Sequence, residues 1–164
     1  MDISIIVAIA KDTFAIGYKN RLLWSLPDDM KRFKETTTGN TIIMGRNTLL
    51  SFPKGALPNR RNIVITDIAD EKFDNCEMAF SIDDAVKMAS GDGEVFVVGG
   101  ASIYHQFLPL ANKLYLTIVD DAPEADTFFP KINFDEWEII ENTHHNSDEK
   151  HKVAFDFLTL TRKN

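Results

Sequence analysis

The sequence predicts an α/β fold in a single domain spanning residues 1–164. It should have a mostly parallel, twisted central sheet with an antiparallel C-terminal hairpin at its edge and about four flanking helices. Three observations lead there. Residues 3–10, 41–44, 62–66 and 94–98 are near-continuous apolar runs rich in β-branched side chains, the pattern of strands covered on both faces. Helical patterns stand between several of these runs, as parallel crossovers require. The last two strand patterns, 137–143 and 152–160, instead alternate apolar with polar residues across a polar connection, as an edge hairpin would.

Residues 3–10 form the first strand, expected at the centre of the sheet. Residues 11–25 have no sustained period and contain Gly17 and Asn20, so they read as a long loop. Phe14, Ile16, Leu22, Leu23 and Trp24 make that loop too apolar for disorder, and it is expected to act as a mobile cover. A helix starts at Pro27, whose missing N–H is no loss at a first helical position, and Asp28 and Asp29 face the positive end of its dipole. At 3.6 residues per turn, Asp29 shares a face with Phe33 beside Met30, while Asp28 shares the other side with Lys31 and Arg32. Asp28 is therefore expected in solvent and Asp29 inside. Either both acids merely complement the dipole, or Asp29 awaits a ligand with two N–H groups. An ionised carboxylate among Met, Phe and Trp costs several kcal/mol unless something polar pairs with it.

The strand at 41–44 runs into Gly45-Arg46-Asn47-Thr48 and a short helical piece towards Phe52, where free N–H groups and the Arg46 charge would attract phosphate. Residues 53–61 are turn-rich, 62–66 a strand, 67–75 a loop and 76–80 a short strand. Ile82, Ala85, Val86 and Ala89 then recur at helical spacing behind Ser81, a good N-cap. The strand at 94–98 leads into Gly99-Gly100-Ala101-Ser102 and a helix through Ile103, Tyr104 and Phe107 to Leu108. A lone Gly-Gly turn serves packing at least as readily as ligand contact. Two strand–glycine–helix turns together suit the separated phosphates of a dinucleotide at the carboxyl ends of parallel strands. Residues 113–119 form a strand of mixed faces.

With 18 basic and 25 acidic residues the net charge is −7, which disfavours nucleic acid and anionic membranes as partners, so any anionic ligand must be held by local groups. Cys76 is the only cysteine, so no internal disulfide forms and a reducing compartment fits. The first apolar run is too short to span a bilayer and follows Asp2, where a signal peptide would carry Lys or Arg. A cytoplasmic monomer is expected. His144, His145 and His151 stand near Asp148 and Glu149, but adjacent residues of a strand point to opposite faces. His144 and His145 therefore make a poor chelate, and no metal is expected. His105 reads as a surface residue, and no Ser or Cys nucleophile motif is present.

In order from Ile3 to Phe155 the segments resemble the dihydrofolate reductases of the bacterial chromosomal type. The segments carrying the resemblance are LWSLPDD at 23–29 with Phe33, IIMGRNT at 42–48, LPNRRNI at 57–63, VGGASIY at 98–104 with QFLP at 106–109, LYLT at 114–117 and DTFFP at 126–130. The resemblance implies reduction of 7,8-dihydrofolate by NADPH. Asp29 would bind the 2-amino group and N3 of the pterin, supported by Thr117 and Trp24 directly or through water. Met30 and Phe33 would pack on the rings, with Ile6, Val7, Phe52, Leu57 and Val98 around them, and Arg60 would pair with the glutamate carboxylate. Ala8, Ile16 and Gly17 would hold nicotinamide under the lid. Gly45, Arg46, Asn47, Thr48, Thr66, Gly99, Gly100, Ala101, Ser102, Ile103 and Tyr104 would hold the rest of the cofactor across a cis Gly-Gly bond. Three positions depart from the family pattern: Leu23 replaces a usual Pro, Ser102 a common basic residue, and Asp67 lies where Ser, Thr or a basic residue often meets the 2′-phosphate. The same cofactor and fold would also serve a pyrimidine reductase of riboflavin synthesis, and a catalytically silent nucleotide-binding module is the alternative of another class.

Overall fold

The apolar runs become the inner strands of an eight-stranded sheet because both of its faces are covered. A computed structural model describes residues 1–163. In chain order the elements are β1 (Asp2–Ala10), β2 (Ala15–Tyr18), β3 (Arg21–Leu22), α1 (Pro27–Thr37), β4 (Thr41–Gly45), α2 (Arg46–Ser51), β5 (Arg61–Ile65), β6 (Cys76–Ala79), α3 (Ile82–Met88), β7 (Glu94–Val97), α4 (Ala101–Phe107), β8 (Lys113–Val119), β9 (Thr127–Phe128), β10 (Trp137–His145) and β11 (Phe155–Arg162). The sheet order is β10-β11-β8-β1-β7-β4-β5-β6. Strands β8, β1, β7, β4, β5 and β6 run parallel, and β11 and β10 are antiparallel, as the change in patterning predicts.

Neighbouring residues on one strand serve opposite cores. Ile5, Ile9, Ile43, Ile63, Val95 and Val97 face one side, where Ala85 of α3 and Phe107 of α4 close over them. Ile6, Ile42, Met44, Val64 and Phe96 face the other, under Phe33 of α1 and Leu49 of α2. This two-sided demand explains the absence of alternation in these strands. Ser81 caps α3 by accepting from the Asp84 N–H at 3.0 Å. No helix is long and apolar enough to cross a membrane.

Two expectations need correction. The segment 11–25 is not a continuous loop: β2 pairs with β3 and with the distant β9 in a small three-stranded sheet. Lys19 and Asn20, at φ 50° and 64°, form the two-residue turn. Strands of four and two residues are too short to show a period, and half of the pairing comes from a strand more than a hundred residues away. Asp126 fastens the hairpin, its carboxylate accepting from the Lys19 N–H at 3.0 Å and its own N–H donating to the Gly17 carbonyl at 3.0 Å. The last strand also starts later, at Phe155, and it lies between β8 and β10, leaving β10 as the open edge. There a register shift between Ile139 and Glu141 interrupts the ladder.

Phe107 is fully buried. Phe107→Ala is expected to lower the free energy of unfolding by about 3–5 kcal/mol, read from urea melts; a loss below about 1 kcal/mol would show that the core collapses onto the site.

Candidate active site

The parallel strands point their carboxyl ends at one rim, where β1 lies between β7 and β8 and the connections leave in opposite directions. Ligands bind at such switch points because several loop and helix starts converge there. Helix α1 crosses the rim. Leu26 offers no side-chain cap, and Pro27 opens the helix, placing Asp28 and Asp29 in its first turn.

Asp29 is half-buried, and the Thr117 hydroxyl on β8 donates to its Oδ1 at 2.5 Å. Its Oδ2 accepts from no donor among the described residues. Burial pushes the carboxyl above its ordinary range, while the Thr117 bond and the Arg32 charge pull it down. Arg32 does not lie in solvent with Asp28 as helix arithmetic suggested. Its guanidinium donates to the carbonyls of Leu116 and Leu158 and to Thr159 Oγ1 at 3.2–3.3 Å and sits over the Phe157 ring. Burial lowers its pKa, against the opposing pull of Glu141 and Asp29. The long Arg stem lets a residue at the helix flank reach back to the sheet, a signal that helical spacing does not carry.

Beside Asp29, the predicted substrate-side residues Phe33, Phe52, Leu57 and Val98 pack against buried Ile6 in one apolar cluster. Met30 is exposed on the outer wall, and Val7 packs against the opposite core. Arg60 closes the far end of the slot. It donates to the Pro58 carbonyl at 2.9 Å and to Thr37 Oγ1 at 3.2 Å, and no acid among the described residues pairs with it. A cation fixed in this way presents its remaining donors to an anion. Trp24 makes no direct hydrogen bond to Asp29; its indole N–H donates to Asp121 Oδ2 at 3.0 Å.

The two glycine turns lie side by side. The Gly45 N–H donates to the Gly99 carbonyl at 2.9 Å, and the Gly99–Gly100 peptide is cis. At Gly99, with φ 122°, a Cβ would stand 3.3 Å from Thr48 Oγ1, and at Gly45 it would stand 3.2 Å from Ile103. Only glycine leaves this cradle open. Tyr104 is buried behind it and donates to the Ile6 carbonyl at 3.0 Å, with its pKa raised by burial and by Asp29. Ala101 is half-buried at the start of α4. Buried Ile16 and half-buried Gly17 lie in the hairpin strand β2, and Ala8 is half-buried on β1 against the cluster of Leu26, Val119 and Phe155.

Outward from the cradle opens a cavity of about 600 Å³ lined by Arg46, Asn47, Thr66, Asp67, Ser102 and others. Glu71, which sequence reasoning missed, takes the Arg46 guanidinium through two nitrogens, at 2.8–3.1 Å, and accepts from Thr66 Oγ1 at 2.5 Å. These bonds hold Glu71 below the usual carboxylate range. No spacing rule links a loop acid to a cation 25 positions earlier.

The chain matches the family model described as dihydrofolate reductase over residues 2–162. A dihydrofolate reductase of Staphylococcus haemolyticus is 41% identical over 99% of this chain and 96% of its own length. One from Bacillus subtilis is 39% identical over 91% of this chain and 88% of its own. Among solved structures, a dihydrofolate reductase from Enterococcus faecalis complexed with NADP(H) and RAB-propyl superposes with a TM-score of 0.91 at 32% identity, covering 99% of this chain and 97% of that one.

A carboxyl whose pKa is raised by folding binds its proton more tightly in the native than in the unfolded state. Stability therefore falls as pH rises from the unfolded value through the folded one. Asp29→Asn removes this penalty. Relative to wild type the variant should gain stability as pH rises above about 4 and level off above the folded pKa, in urea melts across that range. A relative stability that falls with pH would reverse the sign.

Proposed function

The chain belongs to the dihydrofolate reductase family of NADP-dependent oxidoreductases, and from that premise we propose that it reduces 7,8-dihydrofolate to 5,6,7,8-tetrahydrofolate, hydride reaching pterin C6 and a proton reaching N5. The observation that supports this best is Asp29. A carboxylate steadied on one oxygen by Thr117, with the other oxygen open beside an apolar slot, matches the paired N–H edge of an aminopterin ring.

The chain also fits the cofactor. The cradle that a Cβ at Gly45 or Gly99 would obstruct suits a pyrophosphate, with backbone N–H groups of the two glycine turns facing it. Thr48, Ala101 and Ser102 stand at the same helix starts, and Arg46 and Thr66 line the outer cavity. Bound NADPH supplies the hydride. Phe33, Phe52 and Leu57 hold the substrate rings, and Arg60 holds the tail carboxylate through a planar fork that matches it. Asp29 orients the ring and favours protonation at N5. Its raised pKa suits proton exchange closer to neutrality than an exposed Asp would allow. The hairpin of β2 and β3 excludes water from the rim. Arg46 meets the 2′-phosphate by exchanging Glu71 for it, against the nearby charge of Asp67. A cytoplasmic setting agrees with the lone Cys76; the chain acts as a monomer, which light scattering would test.

Mixed with dihydrofolate, the protein should oxidise NADPH, followed by absorbance at about 340 nm; no rate above the blank rejects the proposal. Asp29→Asn should lower turnover about 10²- to 10⁴-fold at neutral pH, with partial rescue in acid as solvent supplies protonated substrate. Wild-type turnover at every pH would remove Asp29 from the chemistry. Arg60→Ala should raise KM for dihydrofolate about 10- to 100-fold and leave a pterin without the glutamate tail unaffected. Arg46→Ala should weaken NADPH more than NADH, and equal losses would move the 2′-phosphate contact elsewhere.

A further inference from the structure

Across the rim from the slot, the start of α1 meets the connection between β10 and β11. His151 there is 1% exposed. Its Nε2 accepts from the Asp28 N–H at 3.2 Å, so its proton is on Nδ1, which donates to Asp148 Oδ1 at 2.9 Å. His145 Nδ1 lies 2.7 Å from the Asn146 carbonyl, an acceptor only, so its proton is on Nδ1 as well. That leaves His145 Nε2 facing two carboxylate oxygens, Asp28 Oδ2 at 3.0 Å and Asp148 Oδ2 at 3.6 Å. A lone pair facing two carboxylate oxygens is repulsive, and the arrangement suits a cation at Nε2.

We propose that Asp28, His145 and His151 take a divalent transition-metal ion of the zinc class. Their ligand atoms lie within 4.8 Å of one another, and tetrahedral donors stand about 3.3 Å apart, so modest side-chain rotation closes the set. Water would complete the coordination. The surrounding groups are those a metal site uses: both Nδ1–H donors are committed, one to a carboxylate and one to a backbone carbonyl, which fixes the tautomer that presents Nε2 inward. Packing sets the rings. His145 stacks on Phe155 at 4.5 Å and 8°, and the His151 ring meets the His145 ring edge-on at 4.7 Å. Two imidazoles with carboxylate select zinc, cobalt, nickel or copper over magnesium or calcium. The metal displaces the long Asp28 N–H bond from His151, and it would tie the helix that carries Asp29 to the last hairpin. From sequence, the adjacent pair His144 and His145 makes a poor chelate and no metal is expected; the fold instead brings His145 beside His151, and Asp28, expected in solvent, is half-buried with Oδ2 3.0 Å from His145 Nε2.

The test uses the full chain stripped with a chelator and needs neither NADPH nor folate, so its failure is distinct from failure of the proposed reaction. Zn²⁺ should bind one per chain in calorimetry and raise Tm, and Co²⁺ should give the visible absorption of a tetrahedral site. His145→Ala and Asp28→Asn should each weaken Zn²⁺ at least about tenfold, while His144→Ala binds as wild type. His151→Ala also removes the bond to α1, so His145 and Asp28 carry the decision. No saturable binding below about 100 μM, unchanged affinity in His145→Ala, equal loss in His144→Ala, or Mg²⁺ binding as tightly as Zn²⁺ overturns the proposal.

Discussion

The hydrogen bond from Thr117 to Asp29 is the constraint on which the site depends. It joins a helix start to the inner strand β8, and it makes tolerable a half-buried carboxylate that desolvation alone would drive towards its neutral form. To keep the bond, α1 must cross the sheet at one height, and that height decides where Phe33 meets Ile6 and Phe52. Thr37, at the other end of the same helix, reaches Arg60. One helix thus sets both the polar end and the cationic end of the slot.

Much of the fold was legible because each face of the sheet left its mark. Ile5 and Ile6, or Ile42 and Ile43, are adjacent and both buried, which only a doubly covered strand demands. The turns at Gly45 and Gly99 were legible as positions where a side chain would collide. Asp29 was legible because 3.6-residue spacing is reliable within one helix. Long-range pairing had no such trace. The β2 strand owes its existence to β9, Arg46 meets Glu71 across a loop, and Trp24 finds Asp121 almost a hundred residues on. Arg32 was misplaced for another reason: helical arithmetic locates Cβ, while a guanidinium ends several ångströms away.

Three arginines divide by whether an acid already holds them. Arg46 is bound by Glu71 and Arg61 by Glu77 and Asp92, whereas Arg60 is held only by a carbonyl and a hydroxyl. Arg60 is thus an oriented cation with no carboxylate partner among the described residues. An anion reaching Arg60 pays only its own desolvation, while one reaching Arg46 must also displace a carboxylate.

The break in register on β10 bears on how the molecule keeps to itself. Ile139 and Ile140 are half exposed, at 51% and 54%, on the strand that ends the sheet, where unpaired backbone groups could template a foreign strand. The shift beside Glu141, with Glu138 and Glu141 flanking the two isoleucines, twists and charges that edge. The irregularity thus acts as a guard against sheet-to-sheet aggregation, and a perfectly regular β10 would make the chain stickier.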